Sequence, residues 1–236
     1  MDSRIFSFNE TNIRKNLYPC NSNSRITLND DFFTPSAILF PIIPHKDKPY
    51  ELILIHRSDR GTRHRGEMSF PGGKFEPITD KSMRDTALRE TEEEIGVSRE
   101  NIKVLGCLND FPTMTKYIIT PYVGIIDKNE KLVRQEREVQ KIIKIPIDFF
   151  INKESFREQA IEIEGRKFPI FYFNYKDKED NELHTVWGAT AYMIVTFIEK
   201  IYGFTLSELG LKRFKLDKIK HLKEYIKYRD QITKKF

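Results

Sequence analysis

The chain has 236 residues, 39% of them hydrophobic and 32% charged, which is typical of a soluble globular protein with one good core and room for a small appendage. No apolar stretch approaches the roughly 18 residues of a membrane span, and the N-terminus lacks the apolar run of a signal peptide. Two cysteines are too few for a disulfide framework, so we expect a reducing, cytoplasmic setting.

The net charge of +5 is unevenly distributed along the chain. Residues 211–236 hold ten Lys or Arg and three Asp or Glu, so this tail is strongly basic. A basic tail could attract nucleic acid or an acidic membrane. Its apolar residues recur at helical spacing, however, and this favours an amphipathic helix packed on the domain with lysines facing outward. We therefore expect no membrane partner and no specific nucleic-acid partner.

In chain order, Ser7 and Glu10 could form a capping box for a first helix that ends near Leu17. Strands and helices then alternate, which fits an α/β/α sandwich. The predicted strands are 36–43, 50–56, 68–70, 103–109, 117–126, 142–145, 160–175 and 182–187. The predicted helices are 81–96, a short one opened by Pro146, 188–202 and the tail. This organisation predicts an N-terminal addition (1–34), a main domain (35–203) and a C-terminal helical addition (204–236).

The segment 89–97, Arg-Glu-Thr-Glu-Glu-Glu-Ile-Gly-Val, is the most informative part of the chain. On a helix, Glu90, Glu93 and Glu94 fall within an arc of roughly 100°, and Glu92 points nearly the opposite way. A plain solvated acidic helix is the simpler reading of such a run. Carboxylates crowded on one face repel one another, and oxygen ligands of this kind suit Mg²⁺ or Mn²⁺.

A tight turn, Pro71-Gly72-Gly73, precedes this helix and favours the metal reading over the solvated one. Glycines let a backbone come close to a ligand. A glycine turn, a loop and an acidic helix together can form a pocket for a metal ion and a phosphate.

The segment resembles the Nudix box, whose second half matches at Arg89, Glu90, Glu93, Glu94, Gly96 and Val97. The first half departs, because Lys81 stands where a Glu is usual and Asp80 lies beside it. The upstream run from Ile53 to Gly73 is similar to a signature of the coenzyme A pyrophosphatase branch, with Ile55 and Thr62 as departures. The resemblance covers about residues 35–203. It implies a Nudix-type α/β/α sandwich with a mixed sheet.

The same resemblance implies roles for individual residues. Glu90 and Glu94 would be the chief metal ligands, Glu93 a further ligand, and the Gly72 carbonyl would complete the shell. Arg89 would orient a ligand carboxylate. The general base stays open between Glu93 and Glu138.

Substrate contacts are expected from the basic loop and the glycine turn. Planar guanidinium groups bind phosphates well, which makes Arg57 and Arg63 candidates for the 3′-phosphate of coenzyme A. Gly73 and Lys74 are the other candidates. We expect Trp187 to lie in the core rather than to stack on a base.

The leading hypothesis is a metal-dependent hydrolase of coenzyme A or acyl-coenzyme A that yields 3′,5′-ADP and 4′-phosphopantetheine or its acyl form. A pyrophosphatase for ADP-ribose, nucleoside triphosphates or other nucleoside diphosphate derivatives is the first alternative. A non-catalytic Nudix-fold binding module is the second, although it would have no need of three clustered carboxylates. A homodimer is left open.

Overall fold

The computed structural model describes residues 6–58, 66–152, 154–163, 166–203, 205–207 and 209. The tail helix predicted within 211–236 and the candidate Arg63 lie outside these residues. Among the described residues, no helix combines the length and the apolarity that crossing a bilayer would require.

Within the described residues, the main sheet has eight strands. Its central path runs in the order β3-β2-β1-β7-β5. The other three strands pair beside this path: β4 with β1, β6 with β7, and β8 with β2. Strands β1 and β7 pair in parallel and every other pair is antiparallel, so the sheet is mixed as predicted. The strands are β1 (Thr34–Ile43), β2 (Glu51–Arg57), β3 (Met68–Ser69), β4 (Gly72–Lys74), β5 (Ile102–Cys107), β6 (Phe111–Pro112), β7 (Tyr117–Ile126) and β8 (Val139–Pro146).

Helices cover both faces of this sheet. Alternate residues of β1 enter two separate cores, as the period of two in a strand requires. Leu39 belongs to the core beneath α2 (Met83–Ile95), whereas Phe40 belongs to the core beneath α3 (Gly188–Tyr202) and stacks on Phe197 at 4.5 Å. The predicted α/β/α sandwich is confirmed.

A second, three-stranded antiparallel sheet follows the main one. Its strands are β9 (Phe156–Ile163), β10 (Arg166–Lys176) and β11 (Leu183–Trp187). The single strand predicted over 160–175 is therefore wrong, because two strands share that range. Apolar and polar residues alternate similarly on both sides of the reversal, so the pattern does not reveal where one strand ends.

The N-terminal helix α1 (Glu10–Asn16) packs on the main domain. Its N-cap is Asn9, whose side chain accepts a hydrogen bond from the Asn12 amide at 2.9 Å, so the predicted capping box of Ser7 and Glu10 is wrong. Ile13 is buried in the core that lies beneath α3. The short helix predicted after Pro146 is confirmed as a 3-10 helix, Ile147–Ile151.

Candidate metal and phosphate site

Helix α2 places Glu90 and Glu94 against the Gly72-Gly73 turn, and Glu93 lies beside Arg89. The helix begins after Ser82, whose hydroxyl accepts a hydrogen bond from the Asp85 amide, and ends at Gly96, whose φ of 73° is easy for glycine alone. Ala87, Leu88, Thr91 and Ile95 bury the opposite face, as the sequence predicts. Packing on that face fixes the rotation of the helix and so the direction of its carboxylates.

Glu94 is the most enclosed of the three carboxylates, with 2% of its side chain exposed. The Gly72 amide donates to its Oε2 at 2.9 Å, and Arg57 Nη1 donates to its Oε1 at 2.9 Å. Burial raises the pKa of Glu94 to about 7, and these two donors only partly oppose that rise. A carboxyl group in this state exchanges its proton for a cation readily near neutral pH.

Glu90 lies directly over Gly73. A Cβ atom added at Gly73 would lie 2.2 Å from Oε1 of Glu90, so only glycine leaves room for this carboxylate. Arg89 Nη1 donates to the same oxygen at 2.8 Å. Burial raises the pKa of Glu90, and the charges of Glu93 and Glu138 raise it further. The charge of Glu138 thus reaches Glu90, and Glu138 stays a candidate for the site.

A buried ion pair holds Arg89 in place. Arg89 Nε and Nη2 donate to the two oxygens of Asp80 at 2.8 and 3.0 Å, and Nη2 also donates to the Lys74 carbonyl. The Asp80 carboxylate also accepts hydrogen bonds from the Thr86 hydroxyl and the Glu76 amide. The Arg89 hydrogen bonds hold the pKa of Asp80 far below its usual range. Arg89 thus orients the side chains of Glu90 and Glu93 rather than facing solvent.

Glu93 and Glu138 are the candidates for the general base. Glu93 is 56% exposed on its side chain and accepts a hydrogen bond from Arg89 at 3.1 Å. Glu138 is exposed, and its backbone carbonyl accepts a hydrogen bond from the amide of Ser58, the residue that follows β2. Both general-base candidates are therefore open to solvent, and they lie on different elements.

The candidate substrate residues are arranged differently from one another. Arg57 stands at the end of β2 and is paired with Glu94, so it forms part of the carboxylate cluster. Lys74 is exposed at the end of β4, and its carbonyl takes part in holding Arg89. Whether either side chain contacts substrate stays a prediction.

The charge balance of the cluster suits a divalent cation. Among the described residues, Arg89 is shared by Asp80, Glu90 and Glu93, and Arg57 pairs with Glu94, so the carboxylates outnumber the guanidinium groups that pair with them. Buried carboxylates in excess need either protons or a metal ion, and their oxygen donors match Mg²⁺ or Mn²⁺. The residues present therefore fit the metal that the sequence predicts.

A second acidic cluster lies away from α2. Ligand atoms of Asp177, Asp180 and His184 all come within 4.8 Å of one another. The Lys141 ammonium lies 2.5 Å from Asp177 and also pairs with Asp180. Because the ammonium of this lysine already lies against both carboxylates and offsets one of their two charges, the acidic face of α2 is the better metal candidate among the described residues.

Two features of the region were not expected from the sequence. Trp187 is 44% exposed and stacks in parallel on Tyr172, so its predicted place in the core is wrong. The ion pair between Arg57 and Glu94 was also missed, because the two residues are 37 positions apart and belong to different elements. A pairing of this kind depends on how α2 packs against the end of β2.

Comparisons with known proteins agree with this fold. The family model described as NUDIX domain matches residues 33–162. The peroxisomal coenzyme A diphosphatase NUDT7 of Mus musculus is 31% identical over 159 residues, or 67% of this chain and 66% of the mouse protein. The chain thus spans just under two thirds of that relative. The "Uncharacterized Nudix hydrolase NudL" of Photorhabdus laumondii is 32% identical over 166 residues, or 70% and 84% of the two chains.

A solved structure, that of a MutT/nudix family protein from Enterococcus faecalis, aligns over 76% of this chain and 66% of its own, with 16% identity and a TM-score of 0.46. The mixed sheet between two helical layers and the carboxylate helix beside a glycine turn define a Nudix domain. The chain belongs to the Nudix hydrolase family.

Proposed function

We propose that this chain is a divalent-metal-dependent pyrophosphatase that hydrolyses coenzyme A or acyl-coenzyme A. The products would be 3′,5′-ADP and 4′-phosphopantetheine or its acyl form. The observation that carries the hydrolytic part is the cluster of Glu90, Glu93 and Glu94 beside the Gly72-Gly73 turn. The choice of substrate is supported by the run from Ile53 to Gly73 and by the relative named as a coenzyme A diphosphatase.

Glu90, Glu93 and Glu94, with the Gly72 carbonyl, are proposed to hold Mg²⁺ or Mn²⁺. When bound, such an ion neutralises the phosphate oxygens and lowers the pKa of a coordinated water. The remaining tasks fall to the chain itself. Arg57 and the Gly72 amide orient Glu94, and Arg89 orients Glu90 and Glu93. This arrangement fixes the carboxylates before substrate arrives, so little reorganisation is needed during the reaction.

A general base must accept a proton from the attacking water, and a carboxylate open to solvent can do so. Glu93 and Glu138 both meet this condition. Arg89 already donates to Glu93, which occupies one of its oxygens, so we favour Glu138.

The metal assignment is tested by Glu90→Gln and Glu94→Gln, which keep the size of the side chain and remove a ligand charge. Turnover should fall by about two orders of magnitude, or ~3 kcal/mol of barrier, because each variant loses an anionic ligand. Glu92→Gln is the matched control, since Glu92 lies on the opposite face and pairs with Arg99 at the surface. Turnover near the wild-type value in both ligand variants would show that the assignment is wrong, whereas a wild-type chain without turnover on any of the substrates would favour a non-catalytic module.

The substrate is tested with coenzyme A, acyl-coenzyme A, 3′-dephospho-coenzyme A, ADP-ribose, NADH and nucleoside triphosphates, by identifying products with Mg²⁺ or Mn²⁺ present. Coenzyme A should be preferred to its dephospho form. Arg63→Ala should reduce kcat/KM about tenfold or more for coenzyme A only, since a charge-assisted contact contributes about 1–3 kcal/mol.

Arg57→Ala should instead lower kcat on both forms, because Arg57 orients Glu94. Equal rates on coenzyme A and dephospho-coenzyme A, unchanged by Arg63→Ala, would move ADP-ribose or another nucleoside diphosphate derivative ahead of coenzyme A.

A further inference from the structure

Two cysteines from distant parts of the chain meet beside the edge of the main sheet. The Sγ atoms of Cys20 and Cys107 lie 2.6 Å apart, although the residues are 87 positions apart in sequence. A disulfide bond is about 2.05 Å long, so the two sulfur atoms need to approach by only about half an ångström to be bonded. Cys107 is fully buried, and Cys20 is partly exposed.

Backbone contacts hold the two cysteines together independently of their sulfur atoms. The Tyr18 amide donates to the Cys107 carbonyl at 3.1 Å, and the Cys107 amide donates back to Tyr18 at 2.8 Å. A turn in which the Ser22 amide donates to the Pro19 carbonyl brings Cys20 back toward β5. The backbone before Cys20 lies close to β5, since a Cβ added at Gly106 would lie only 2.8 Å from the Leu17 Cβ. The pairing of the sulfurs is thus set by the fold.

A second anchor fixes the rest of this N-terminal segment (residues 18–33). The carboxylate of Asp110 accepts hydrogen bonds from Arg25 Nη1 at 2.5 Å and from the Leu28 amide at 2.8 Å. The Asp110 amide donates to the Ile26 carbonyl. With both anchors in place, the N-terminal segment holds Cys20 in one position beside β5.

The chemistry of the pair also favours reaction. At 2.6 Å the two sulfur atoms lie well inside the separation of two unbonded thiols, so the fold already holds them close to bonding distance. A thiolate is the reactive form of cysteine, and the partly exposed Cys20 can meet a small oxidant. Cys107 lies behind it as the resolving thiol.

We infer that Cys20 and Cys107 form a reversible, intrachain disulfide when the protein meets hydrogen peroxide, and that this bond clamps the N-terminal segment to the Nudix domain. The Cys20 thiolate attacks the O–O bond, which gives a sulfenic acid and releases one water once a proton is added. The Cys107 sulfur then attacks the Cys20 sulfur, the S–O bond breaks, and a second water leaves. Two thiols are oxidised by two electrons, and the peroxide is reduced to two waters.

The test starts from the full chain, fully reduced and freed of reductant, and treats it with hydrogen peroxide. Intact mass should fall by two hydrogen atoms, and both cysteines should resist alkylation until dithiothreitol is added. A tryptic map should contain one linked peptide pair. The melting temperature should rise by at least about 5 °C, because the new bond constrains a long loop in the unfolded chain.

The single variants Cys20→Ser and Cys107→Ser are the controls. Neither should gain the thermal shift, and Cys107→Ser should instead add oxygen at Cys20, since it lacks the resolving thiol. Cys20→Ser keeps the buried Cys107 and therefore controls for damage to the core. Oxygen addition at Cys20 in the wild-type chain, a dimer linked through Cys20, or no change in mass would each overturn the inference.

Discussion

At the residue scale, Asp80 decides whether the site is held in shape. Its carboxylate is buried and binds Arg89 through two hydrogen bonds, and Arg89 in turn contacts Glu90 and Glu93. The site therefore has two layers, in which a buried anion fixes a cation and that cation orients the two glutamates. Loss of the inner anion should disturb both stability and catalysis.

We predict that Asp80→Asn destabilises the protein by about 3 kcal/mol at pH 7, because Arg89 then loses its buried counter-charge. The pKa of Asp80 is lower in the folded state than in the unfolded chain, so the unfolded state binds more protons as pH falls. The stability that ionised Asp80 contributes is fully present above the unfolded pKa of about 4 and is lost progressively as the pH falls below it.

Urea unfolding should thus show that the difference in free energy of unfolding between the wild type and Asp80→Asn becomes smaller between about pH 5 and pH 3. The exposed Asp47, replaced by Asn, is the control and should change stability by less than about 0.5 kcal/mol. A gap that stays constant over this range would show that the ion pair does not contribute in the way described.

Gly73 is the second residue whose identity the site requires. We predict that Gly73→Ala lowers kcat/KM at least about tenfold, because the added methyl forces the Glu90 carboxylate away from its position. The clash is with the end of a flexible side chain, so the melting temperature should change little.

Gly203→Ala serves as the comparison for Gly73→Ala, since a Cβ there meets nothing within 4 Å and only the positive φ of 71° is strained. Steady-state kinetics with metal titration measure the difference between the two variants. Wild-type kcat/KM in Gly73→Ala would mean that the Glu90 position seen here is not needed for turnover.

At the element scale, the site lies where three elements meet. Helix α2 supplies the carboxylates, β2 ends at Arg57 beside Glu94, and the segment entering β8 brings Glu138 beside Ser58. In the pairing of β2 with β8, Glu51 lies opposite Pro146 and Arg57 lies opposite Val139. Because Glu138 directly precedes Val139, the register of this strand pair sets its position.

We predict that Glu138→Gln lowers kcat at least about a hundredfold and more than Glu93→Gln does, because Arg89 already engages Glu93. Glu136→Gln is the matched control, since Glu136 lies two residues before Glu138 and its side chain is 82% exposed. Single-turnover rates across pH give the comparison. A larger loss in Glu93→Gln would assign the base to α2 instead.

At the scale of the whole molecule, the Nudix domain carries additions at both ends. Helix α1 packs on α3, where Asn12 Nδ2 donates to the Ile201 carbonyl at 3.4 Å, and the N-terminal segment continues along β5. These contacts make the N-terminal addition part of the folded unit. The C-terminal addition stays a prediction from the sequence pattern, because residues 210–236 lie outside the described residues.

We predict that deletion of residues 211–236 lowers the melting temperature by at least about 3 °C, since apolar residues at helical spacing imply a docked helix. The value of kcat should change less than about twofold, because the residues proposed to hold the metal are not part of the deleted sequence. Thermal unfolding and turnover of the truncated chain test this directly. An unchanged melting temperature together with lost affinity for nucleic acid would favour a free basic arm.

Several elements could be predicted from the sequence because they depend on local patterns. The strand at 117–126 and the helix at 188–202 have the predicted bounds, and α2 ends at Gly96 as expected. The acidic face of α2 follows from the helical period alone. Local errors arose where two signals competed, since Asn9 caps α1 in place of Ser7.

The sequence by itself determined the family, the sandwich and the set of carboxylates, because spacing along one helix and one turn encodes them. The tertiary structure decided which cation each carboxylate meets, since Arg57 reaches Glu94 only through the packing of α2 beside β2. It also decided that Trp187 is exposed and that Cys20 meets Cys107. Such pairs join residues far apart in the chain, and their distances depend on strand register and helix packing, which no local pattern contains.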